Sequence, residues 1–367
     1  MLRAPGIGAA TARALVERAG DARAACASAR KLRGDAGLSA EALGWIEAPN
    51  TAQLDADLAW LAEPGHHFLR YTDADFPPQL LDIAQPPAAL FVIGDPALLL
   101  GAQVAVVGAR SASVQGLLNA REFARAFARA GLTVTSGLAD GIDGAAHTGA
   151  LETQGATIAV IGTGADRVYP RKHRELAARI AQHGAIVSEY PLGTSARAEH
   201  FPQRNRLIAG LALGTLVIEA SLQSGSLITA RMAAEMGREV FALPGSIHNP
   251  LARGCHRLIR DGARLTETAQ ELIEALVPGA QALGAQLRER LEPARPALAP
   301  QHDRENDPDY ARLLAALEEA PVGLDELAAR TGLKPAELSS MLLLLELEGA
   351  VAPAVNGRWQ RLFARSA

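Results

Sequence analysis

Residues 104–147 decide the fold of this 367-residue chain, and they read VAVVGARSASVQGLLNAREFARAFARAGLTVTSGLADGIDGAAH. An apolar run of strand length ends at Val107, and a Gly-Ala-Arg-Ser turn follows it. A stretch of helix length occupies about 116–130, and a second apolar run precedes Ser136. Strands that are apolar throughout and alternate with helices are typical of a parallel sheet covered on both faces.

The same alternation continues along the middle of the chain. We expect strands at 89–94, 104–107, 132–135, 157–161, 185–187, 216–218 and 240–243, and helices near 116–130, 143–154, 172–183, 203–212 and 225–237. Right-handed crossovers between such strands produce a doubly wound sheet that binds ligands at the carboxyl ends of its strands. The sequence therefore predicts a Rossmann-like, mostly parallel α/β fold.

The segments on either side of this core predict three further parts. Residues 1–65 are expected to form a small helical domain, in which Gly6-Ile7-Gly8 is typical of a SAM or helix-hairpin-helix turn. A structural helical hairpin is favoured there over a phosphate site. The extended Rossmann-like domain is assigned to 66–278, and the Ala-, Pro-, Arg- and Asp-rich residues 279–308 are interpreted as a linker.

Residues 309–367 are expected to form a winged-helix-like domain. Three short helical patterns are followed by glycines at Gly349 and Gly357 that suggest a small β wing. The expected recognition helix, Pro335–Leu345, contains Glu337 and no arginine. A contact with another protein is therefore favoured over duplex DNA for this domain.

Composition excludes several classes of protein. No window of eighteen apolar residues occurs, so we expect no membrane span. The two cysteines, Cys26 and Cys255, are far apart and predict neither a disulfide framework nor a metal site. The first residues, MLRAPGIG, lack the pattern of a signal peptide, and we expect a cytoplasmic protein.

The net charge of −4 is unevenly distributed. Residues 167–264 contain 14 Lys or Arg and 7 Asp or Glu, whereas residues 1–100 contain 8 and 12 and residues 265–367 contain 10 and 16. A basic region on an otherwise acidic protein is typical of a polyanion site. The alternative is that arginine is simply frequent, because the chain has only three lysines.

The first loop after a predicted strand contains Gly108, Arg110 and Ser111, where a phosphate-binding loop belongs in this fold. It is not GxGxxG, and no acidic residue ends the second strand to hold a ribose. A dinucleotide cofactor is therefore disfavoured. Arg110 can form forked hydrogen bonds to a phosphate, and its alternative role is that of a surface arginine.

The second loop contains Asp143 and His147, which suggest an acid–base pair. We expect Asp143 to be a helix N-cap, and no nucleophile or set of metal ligands accompanies the two residues. Catalysis is therefore disfavoured, and we assign no catalytic residue, metal or cofactor.

Three later segments add cations and small hydroxyl residues. Tyr169-Pro170 precedes Lys172 and Arg174, a combination that suits single-stranded nucleic acid. Arg204, Asn205 and Arg206 open an apolar helix, and Ser224, Gly225 and Ser226 open another, where amide groups can bind phosphate. Ser226 alone is equally well explained as an N-cap. A row of such phosphate sites suits a polymer better than one nucleotide.

Many of these segments together are similar to one protein family. The sequence resembles the DNA-processing protein A family (DprA, also called Smf) over roughly residues 70–270. The matching motifs are VVGAR at 106–110, SGLADGID at 136–143, GTG at 162–164, YP at 169–170, SEYP at 188–191, FPQRNRLIAG at 201–210, SGSLITA at 224–230 and PGS at 244–246.

The resemblance implies a cytosolic bacterial protein of natural transformation. Members of the family bind incoming single-stranded DNA, protect it from nucleases and load the RecA recombinase onto it. It also implies a homodimer paired through the Rossmann-like domain, with no enzymatic activity. The family's DNA-binding arginine corresponds to Arg110, and its basic position after Tyr-Pro falls within Lys172–Arg174.

We therefore predict a homodimeric single-strand binder. Arg110, Lys172, Arg174, Arg204 and Arg206 would neutralise phosphates, and Gly108, Ser111, Asn205, Ser224, Gly225 and Ser226 would complete the site. The main alternative is a nucleotide N-glycosidase on a related fold, which needs a Gly-Gly-x-Gly-Thr turn and a catalytic glutamate. Gly214-Thr215 and Glu219 only partly match that pattern. A protein adaptor acting through residues 309–363 is a third possibility.

Overall fold

The computed structural model describes residues 1–153, 155–291, 308–317, 321–347, 350–354 and 358–361. The chain divides into two compact units, Met1–Leu291 and Glu292–Ala367. Within the described ranges, every helix is too short or too polar to cross a lipid bilayer.

A sheet forms the centre of the first unit. Its described strands are β1 (His66–Arg70), β2 (Ala89–Gly94), β3 (Gln103–Val107), β4 (Thr133–Ser136), β5 (Thr157–Val160), β6 (Ala185–Ser188), β7 (Gly214–Val217), β8 (Glu239–Ala242) and β9 (Arg264–Leu265). Their order is β1-β2-β6-β5-β4-β3-β7-β8-β9. The strands from β3 to β9 are paired in parallel, whereas β2 runs antiparallel to β6 and β1 antiparallel to β2.

The direction in which the chain winds across the sheet reverses between β3 and β7. From β3 the chain winds outward through β4 and β5 to β6, and it then crosses back to β7 beside β3. The mostly parallel Rossmann-like fold predicted from the sequence is confirmed. Strands β1 and β9 were not predicted, because β1 contains two histidines and an arginine and β9 has only two residues.

Helices cover both faces of the sheet. Alternate residues of β3 join different cores: Val104 and Val106 pack with α5 (Val114–Arg129) and α6 (Ile142–Leu151), whereas Ala105 and Val107 belong to the other core. The first face also carries α7 (Arg174–His183), and the other face carries α8 (His200–Leu211), α9 (Ser226–Glu235) and α10 (Arg253–Arg260).

A long helix occupies part of the segment predicted as a linker. Helix α11 (Ala269–Leu291) continues through Pro278, so the prediction of a linker was wrong for residues 279–291. Leu283 is buried against the same core as Leu276, and this apolar contact sustains the helix beyond the proline. The rest of the predicted linker, 292–307, lies outside the described residues.

The N-terminal helices belong to the first unit. They are α1 (Ala9–Ala19), α2 (Ala22–Ala36), α3 (Ala40–Glu47) and α4 (Thr51–Leu61), and a small core around Leu15 joins the first three. Arg3 forms an ion pair with Asp57 and donates a hydrogen bond of 3.1 Å to the Leu192 carbonyl oxygen. Gly6 and Gly8 lie in the turn before α1, and no helix precedes them in the described part of the chain.

The second unit has the order of a winged helix. Helices α12 (Pro308–Ala316), α13 (Leu324–Thr331) and α14 (Pro335–Leu347) share one core, which includes Leu313, Leu327 and Leu342. The strands β10 (Val322–Gly323), β11 (Val351–Ala354) and β12 (Arg358–Arg361) pair in the order β10-β12-β11. The predicted wing glycines, Gly349 and Gly357, lie outside the described residues.

Candidate nucleic-acid interface

A cleft of about 750 Å³ opens at the carboxyl ends of β3 and β7. This is the point where the strand order reverses, and doubly wound sheets bind their ligands there. The cleft is lined by four of the predicted loops and by α8. The lining includes Gly108, Arg110, Ser111, Tyr169, Arg197, Phe201, Arg204, Asn205, Ser221, Ser224, Gly225 and Ser226.

The loop after β3 presents Arg110 to this cleft. A Cβ atom on Gly108 would lie 2.6 Å from the Ile142 side chain and 2.9 Å from the Glu219 carbonyl oxygen, so only glycine fits there. Arg110 and Ser111 are exposed, and the guanidinium of Arg110 lies 5.3 Å from the centre of the Phe201 ring. Among the described residues, no carboxylate lies within ion-pair distance of Arg110.

The N-terminus of α5 is already occupied by a carboxylate of the protein. Ser113 donates hydrogen bonds to Glu219 from its backbone nitrogen, at 2.8 Å, and from its hydroxyl, at 2.6 Å. A Cβ atom on Gly116 would lie only 2.5 Å from that carboxylate. In dinucleotide-binding Rossmann folds, the pyrophosphate binds at this helix N-terminus. Here the Glu219 carboxylate occupies that position.

Asp143 does not cap α6, and the prediction that it does was wrong. The N-cap is Gly141, which has a φ of +73°. The buried Asp143 carboxylate instead accepts hydrogen bonds from the backbone nitrogens of Gly137, at 3.1 Å, and Ala139, at 3.4 Å. Burial raises the pKa of Asp143, and the positive charge of Arg204 opposes that shift. Asp143 therefore stabilises the conformation of the loop after β4.

His147 is buried, and both of its ring nitrogens have partners. Its Nε2 accepts a hydrogen bond of 3.3 Å from the Leu138 backbone nitrogen, and its Nδ1 lies 2.7 Å from the hydroxyl of Thr157. Burial lowers the pKa of His147 to about 3, so the ring is neutral near pH 7. This arrangement is that of a core histidine. Within the described ranges, no group of three His, Cys, Asp or Glu residues could hold a metal ion.

Lys172 and Arg174 lie beside the cleft rather than in its lining. Lys172 is exposed and forms an ion pair of 3.1 Å with Asp140, and the exposed Arg174 begins α7. The loop that carries Asp140 packs directly on the Arg110 loop, because a Cβ atom on Gly141 would lie 2.5 Å from the Arg110 carbonyl oxygen. Lys172 is therefore held by Asp140 beside the loop that adjoins the Arg110 loop.

The neighbouring polar residues of α8 have different environments. Asn205 and Arg204 both line the cleft, but Arg204 is only 3% exposed, and its Nη1 donates a hydrogen bond to the Val160 carbonyl oxygen. The Nε atom of Arg204 has no hydrogen-bond partner in the described residues. Burial lowers the pKa of Arg204 to about 10, so the guanidinium stays charged at neutral pH.

Arg206 does not face the cleft, although the sequence grouped it with Arg204. Its guanidinium forms a buried ion pair with Glu189. The two residues differ because α8 rotates by about 100° per residue, which places positions 204 and 206 on different faces. Desolvation raises the pKa of Glu189, and Arg206 opposes that shift.

The N-terminus of α9 also lines the cleft. Its N-cap is Gly225, and the hydroxyls of Ser224 and Ser226 lie 2.7 Å apart. Ser226 is the first residue of the helix rather than its cap. The nitrogens of the first turn already have acceptors: Ser226 donates to the Ser224 hydroxyl at 3.4 Å, Leu227 to the Ser224 carbonyl oxygen at 3.1 Å, and Ile228 to the Gly225 carbonyl oxygen at 3.1 Å. The start of the helix still carries partial positive charge, which favours an anion beside it.

The structure adds side chains that the prediction did not include. Tyr169 is 47% exposed, and its ring lies 5.5 Å from that of Phe201. The sequence places both in matched motifs, but only the fold brings them together. Arg197 lies in the irregular segment before α8, where the sequence has no periodic pattern to indicate it. The cleft thus combines cations, a helix N-terminus and two aromatic rings.

Comparisons with known proteins agree with this geometry. Residues 67–277 match the family model of DNA recombination-mediator protein A, and residues 292–357 match the DprA winged helix domain. The chain is 44% identical to Protein Smf of Escherichia coli over 310 residues, which cover 84% of this chain and 81% of that protein. It is 45% identical to the DNA processing protein DprA of Streptococcus pneumoniae over 201 residues, or 55% of this chain and 71% of that one.

Two solved structures support the same assignment. The X-ray structure of DprA from Streptococcus pneumoniae matches with a TM-score of 0.66 and 35% identity, covering 74% of this chain and 95% of that one. A DprA structure from Helicobacter pylori, described for its single-stranded DNA binding mode, matches with a TM-score of 0.53 and 28% identity, covering 58% and 97%. The chain belongs to the DNA recombination-mediator protein A family, also known as DprA or Smf.

Proposed function

We propose that this protein binds single-stranded DNA at the cleft between the β3 and β7 loops and acts in DNA processing during natural transformation. The observation that carries the proposal is the composition of the cleft, whose lining includes Arg110, the N-terminus of α9 and the rings of Tyr169 and Phe201. Cations bind the phosphates of a single strand, while aromatic faces stack with its bases. The binding mode named for the Helicobacter pylori relative supports this choice of ligand.

Binding is proposed to occur without covalent chemistry. Each acidic or basic group that suggested catalysis has a structural partner: Glu219 binds Ser113, Asp143 binds two backbone amides, and His147 binds Thr157. A general acid or base must instead reach its substrate with a pKa near the working pH. These contacts favour a binding protein over an enzyme.

Removing the Arg110 guanidinium tests the site. We expect Arg110→Ala to weaken binding of oligo-dT by about tenfold at moderate salt, the effect of removing a charged hydrogen bond to phosphate worth about 1.5 kcal/mol. Fluorescence anisotropy over a range of salt concentrations would measure the affinity. The slope of log K against log salt should become shallower by about 0.7 for each phosphate that the variant no longer neutralises.

Arg129→Ala is the matched control, since Arg129 is an exposed arginine at the far end of α5. It removes the same charge away from the carboxyl edge of the sheet, and we expect its affinity to equal that of the wild type. Unchanged affinity in Arg110→Ala, Lys172→Ala and Arg174→Ala would show that the site is assigned wrongly. A gel shift that compares single and double strands would test the choice of ligand.

The N-glycosidase alternative makes a different prediction. Such an enzyme would release free base from nucleoside monophosphates, which chromatography detects directly. We expect no release, because the Glu219 carboxylate is engaged by Ser113 at the start of α5. Release of base that disappears in Glu219→Gln would overturn the non-enzymatic proposal.

Three finer roles form part of the proposal: protection of incoming DNA from nucleases, loading of RecA, and action as a cytoplasmic homodimer. They are supported by membership of this family. Analytical ultracentrifugation tests the dimer, and a nuclease-protection assay on oligo-dT tests shielding. A strand-exchange assay with RecA on DNA coated by single-strand-binding protein tests loading.

A further inference from the structure

Two irregular loops lie between the N-terminal helices and the Arg110 cleft. The β5 loop comprises residues 161–170 and carries Tyr169, whereas the β6 loop comprises residues 189–199 and carries Arg197. Both of these residues line the cleft. Because neither loop contains a helix or a strand, its conformation depends on hydrogen bonds and packing with other segments.

The two loops are hydrogen-bonded to each other. The Gly164 nitrogen donates to the Thr194 carbonyl oxygen at 3.0 Å, and the Gly193 nitrogen donates to Oδ1 of Asp166 at 2.8 Å. A Cβ atom on Gly164 would lie 2.7 Å from the Pro191 carbonyl oxygen, so the loops are also in close contact. A displacement of either loop is therefore transmitted to the other.

The N-terminal helices hold this pair of loops from the side. Trp60 of α4 is buried in a small apolar cluster with Ala165 of the β5 loop, and Leu192 of the β6 loop packs against the same cluster. Arg3, which is ion-paired with Asp57 of α4, donates its hydrogen bond of 3.1 Å to the Leu192 carbonyl oxygen. The Arg3–Asp57 pair thus joins α4 to the backbone of the β6 loop.

The same contacts continue from the loops into the cleft. His200, at the start of α8, donates from its backbone nitrogen to the Arg197 carbonyl oxygen at 3.1 Å and from its Nδ1 to the Gly162 carbonyl oxygen at 3.1 Å. The ring of Tyr169 lies 5.5 Å from that of Phe201. The positions of Tyr169 and Arg197 therefore depend on where the two loops are held.

We propose that Arg3 and Asp166 are positioning residues for single-stranded DNA, which fix the two loops so that Tyr169 and Arg197 line the cleft. The inference rests on the proposed function, since it concerns the same ligand and the same cleft. Arg3 and Asp166 line a separate cavity beside α4. Their effect on DNA is thus indirect, and the N-terminal helices support the binding site from outside it.

The first test replaces the arginine that joins the two parts. We expect Arg3→Ala to weaken binding of oligo-dT by about fivefold, at the lower end of the usual coupling between two sites. The slope of log K against log salt should equal that of the wild type, because no phosphate contact is lost. The control is Arg30→Ala, since Arg30 forms its ion pair with Glu47 within the N-terminal helices, and its affinity should be unchanged.

The second test gives positioning and general electrostatics opposite signs. Removing an acidic side chain strengthens attraction to a polyanion, whereas Asp166→Ala removes the acceptor of the Gly193 nitrogen. We expect Asp166→Ala to bind oligo-dT more weakly than the wild type, and Asp166→Asn, which keeps an acceptor oxygen, to bind at least as well. Asp95→Ala is the control, because the exposed Asp95 accepts from the Ala97 nitrogen away from both loops, and it should not weaken binding.

Hydrogen exchange measured by mass spectrometry examines the loops without DNA. Peptides that cover residues 189–199 should exchange faster in Arg3→Ala and Asp166→Ala than in the wild type, and at the wild-type rate in the two controls. Thermal unfolding followed by circular dichroism confirms that each variant is folded at the temperature of the titrations.

The outcomes separate this inference from the proposed function. If folded Arg3→Ala and Asp166→Ala bind like the wild type while Arg110→Ala loses affinity, the positioning role is refuted and the cleft stands. A shallower salt slope in Arg3→Ala would also refute it, because Arg3 would then contact a phosphate directly, and so would tighter binding by Asp166→Ala. If the wild type binds no oligo-dT at any salt concentration, the proposed function itself fails.

Discussion

The environment of His147 makes a prediction about pH. Its folded-state pKa of about 3 lies below the unfolded value of about 6.5, because burial disfavours the charged ring. Between these values the unfolded chain binds a proton that the folded chain does not. The stability contributed by the neutral histidine is therefore present above pH 6.5 and is lost as the pH falls toward 3.

We expect His147→Gln to show a shallower loss of stability in acid than the wild type. Between pH 6.5 and 4 the histidine accounts for about 3 kcal/mol of the decline in the free energy of unfolding. Urea unfolding at several pH values measures the difference between the two proteins. Parallel pH profiles would mean that His147 is protonated in the folded state, contrary to its hydrogen bond with the Leu138 nitrogen.

Arg206 should affect stability without affecting DNA binding. Arg206→Leu leaves the buried Glu189 without its partner, and breaking such a pair costs about 3–5 kcal/mol. We expect a lower urea midpoint with unchanged oligo-dT affinity, because Arg206 faces away from the cleft. The double variant Arg206→Leu/Glu189→Leu removes both charges and should recover most of the lost stability. If a fully folded Arg206→Leu protein bound oligo-dT more weakly, Arg206 would have to be part of the DNA-binding site.

At the scale of elements, the loop after β4 is predicted to position the Arg110 loop. Gly141 has a φ of +73°, and a Cβ atom there would lie 2.2 Å from the Ala109 carbonyl oxygen. Gly141→Ala must therefore push the two loops apart. We expect a drop in oligo-dT affinity of at least fivefold together with a loss of stability of about 1–3 kcal/mol.

Gly131→Ala is the matched control for this change. Gly131 also has a positive φ, +82°, but a Cβ atom there would meet no heavy atom within 4 Å. The control should lose about 1 kcal/mol through backbone strain alone and keep its DNA affinity. Equal affinities in the two variants would indicate that the contact between the loops does not matter for binding.

The elements differ in how far the sequence reveals them. The strands from β3 to β8 follow from apolar runs, because a buried strand must be apolar on both faces. Residues 279–308 are predicted as a linker from their Ala, Pro, Arg and Asp content, whereas the contact of Leu283 with the core sustains helix α11 as far as Leu291. The partners of Asp143 and Arg206 depend on the folded loops and on other segments, so local pattern could not show them. The sequence pattern therefore predicted which residues lie at the carboxyl edge of the sheet. It could not predict which of their side chains face the cleft.

At the scale of the whole molecule, the Arg110 cleft and the winged helix lie in different units. The cleft is in Met1–Leu291, whereas residues 309–367 contain six Lys or Arg and eight Asp or Glu. Helix α14, in the position of a recognition helix, has no arginine or lysine. Because phosphate contacts dominate affinity for nucleic acids, this distribution favours the first unit as the site of the proposed DNA binding.

A chain that ends at Leu291 is therefore expected to bind oligo-dT within about twofold of the full-length affinity and with the same salt slope, since every proposed phosphate contact remains. The truncation keeps α11 whole, including Leu283, which the core of the first unit needs. Anisotropy titrations of both proteins would measure the comparison, and Arg110→Ala in the shortened chain should show the same loss as in the full chain. A fall of tenfold or more in a folded, shortened protein would assign part of the affinity to the winged helix. Retained affinity leaves that domain available for contact with another protein, as the charge of its helix α14 favours.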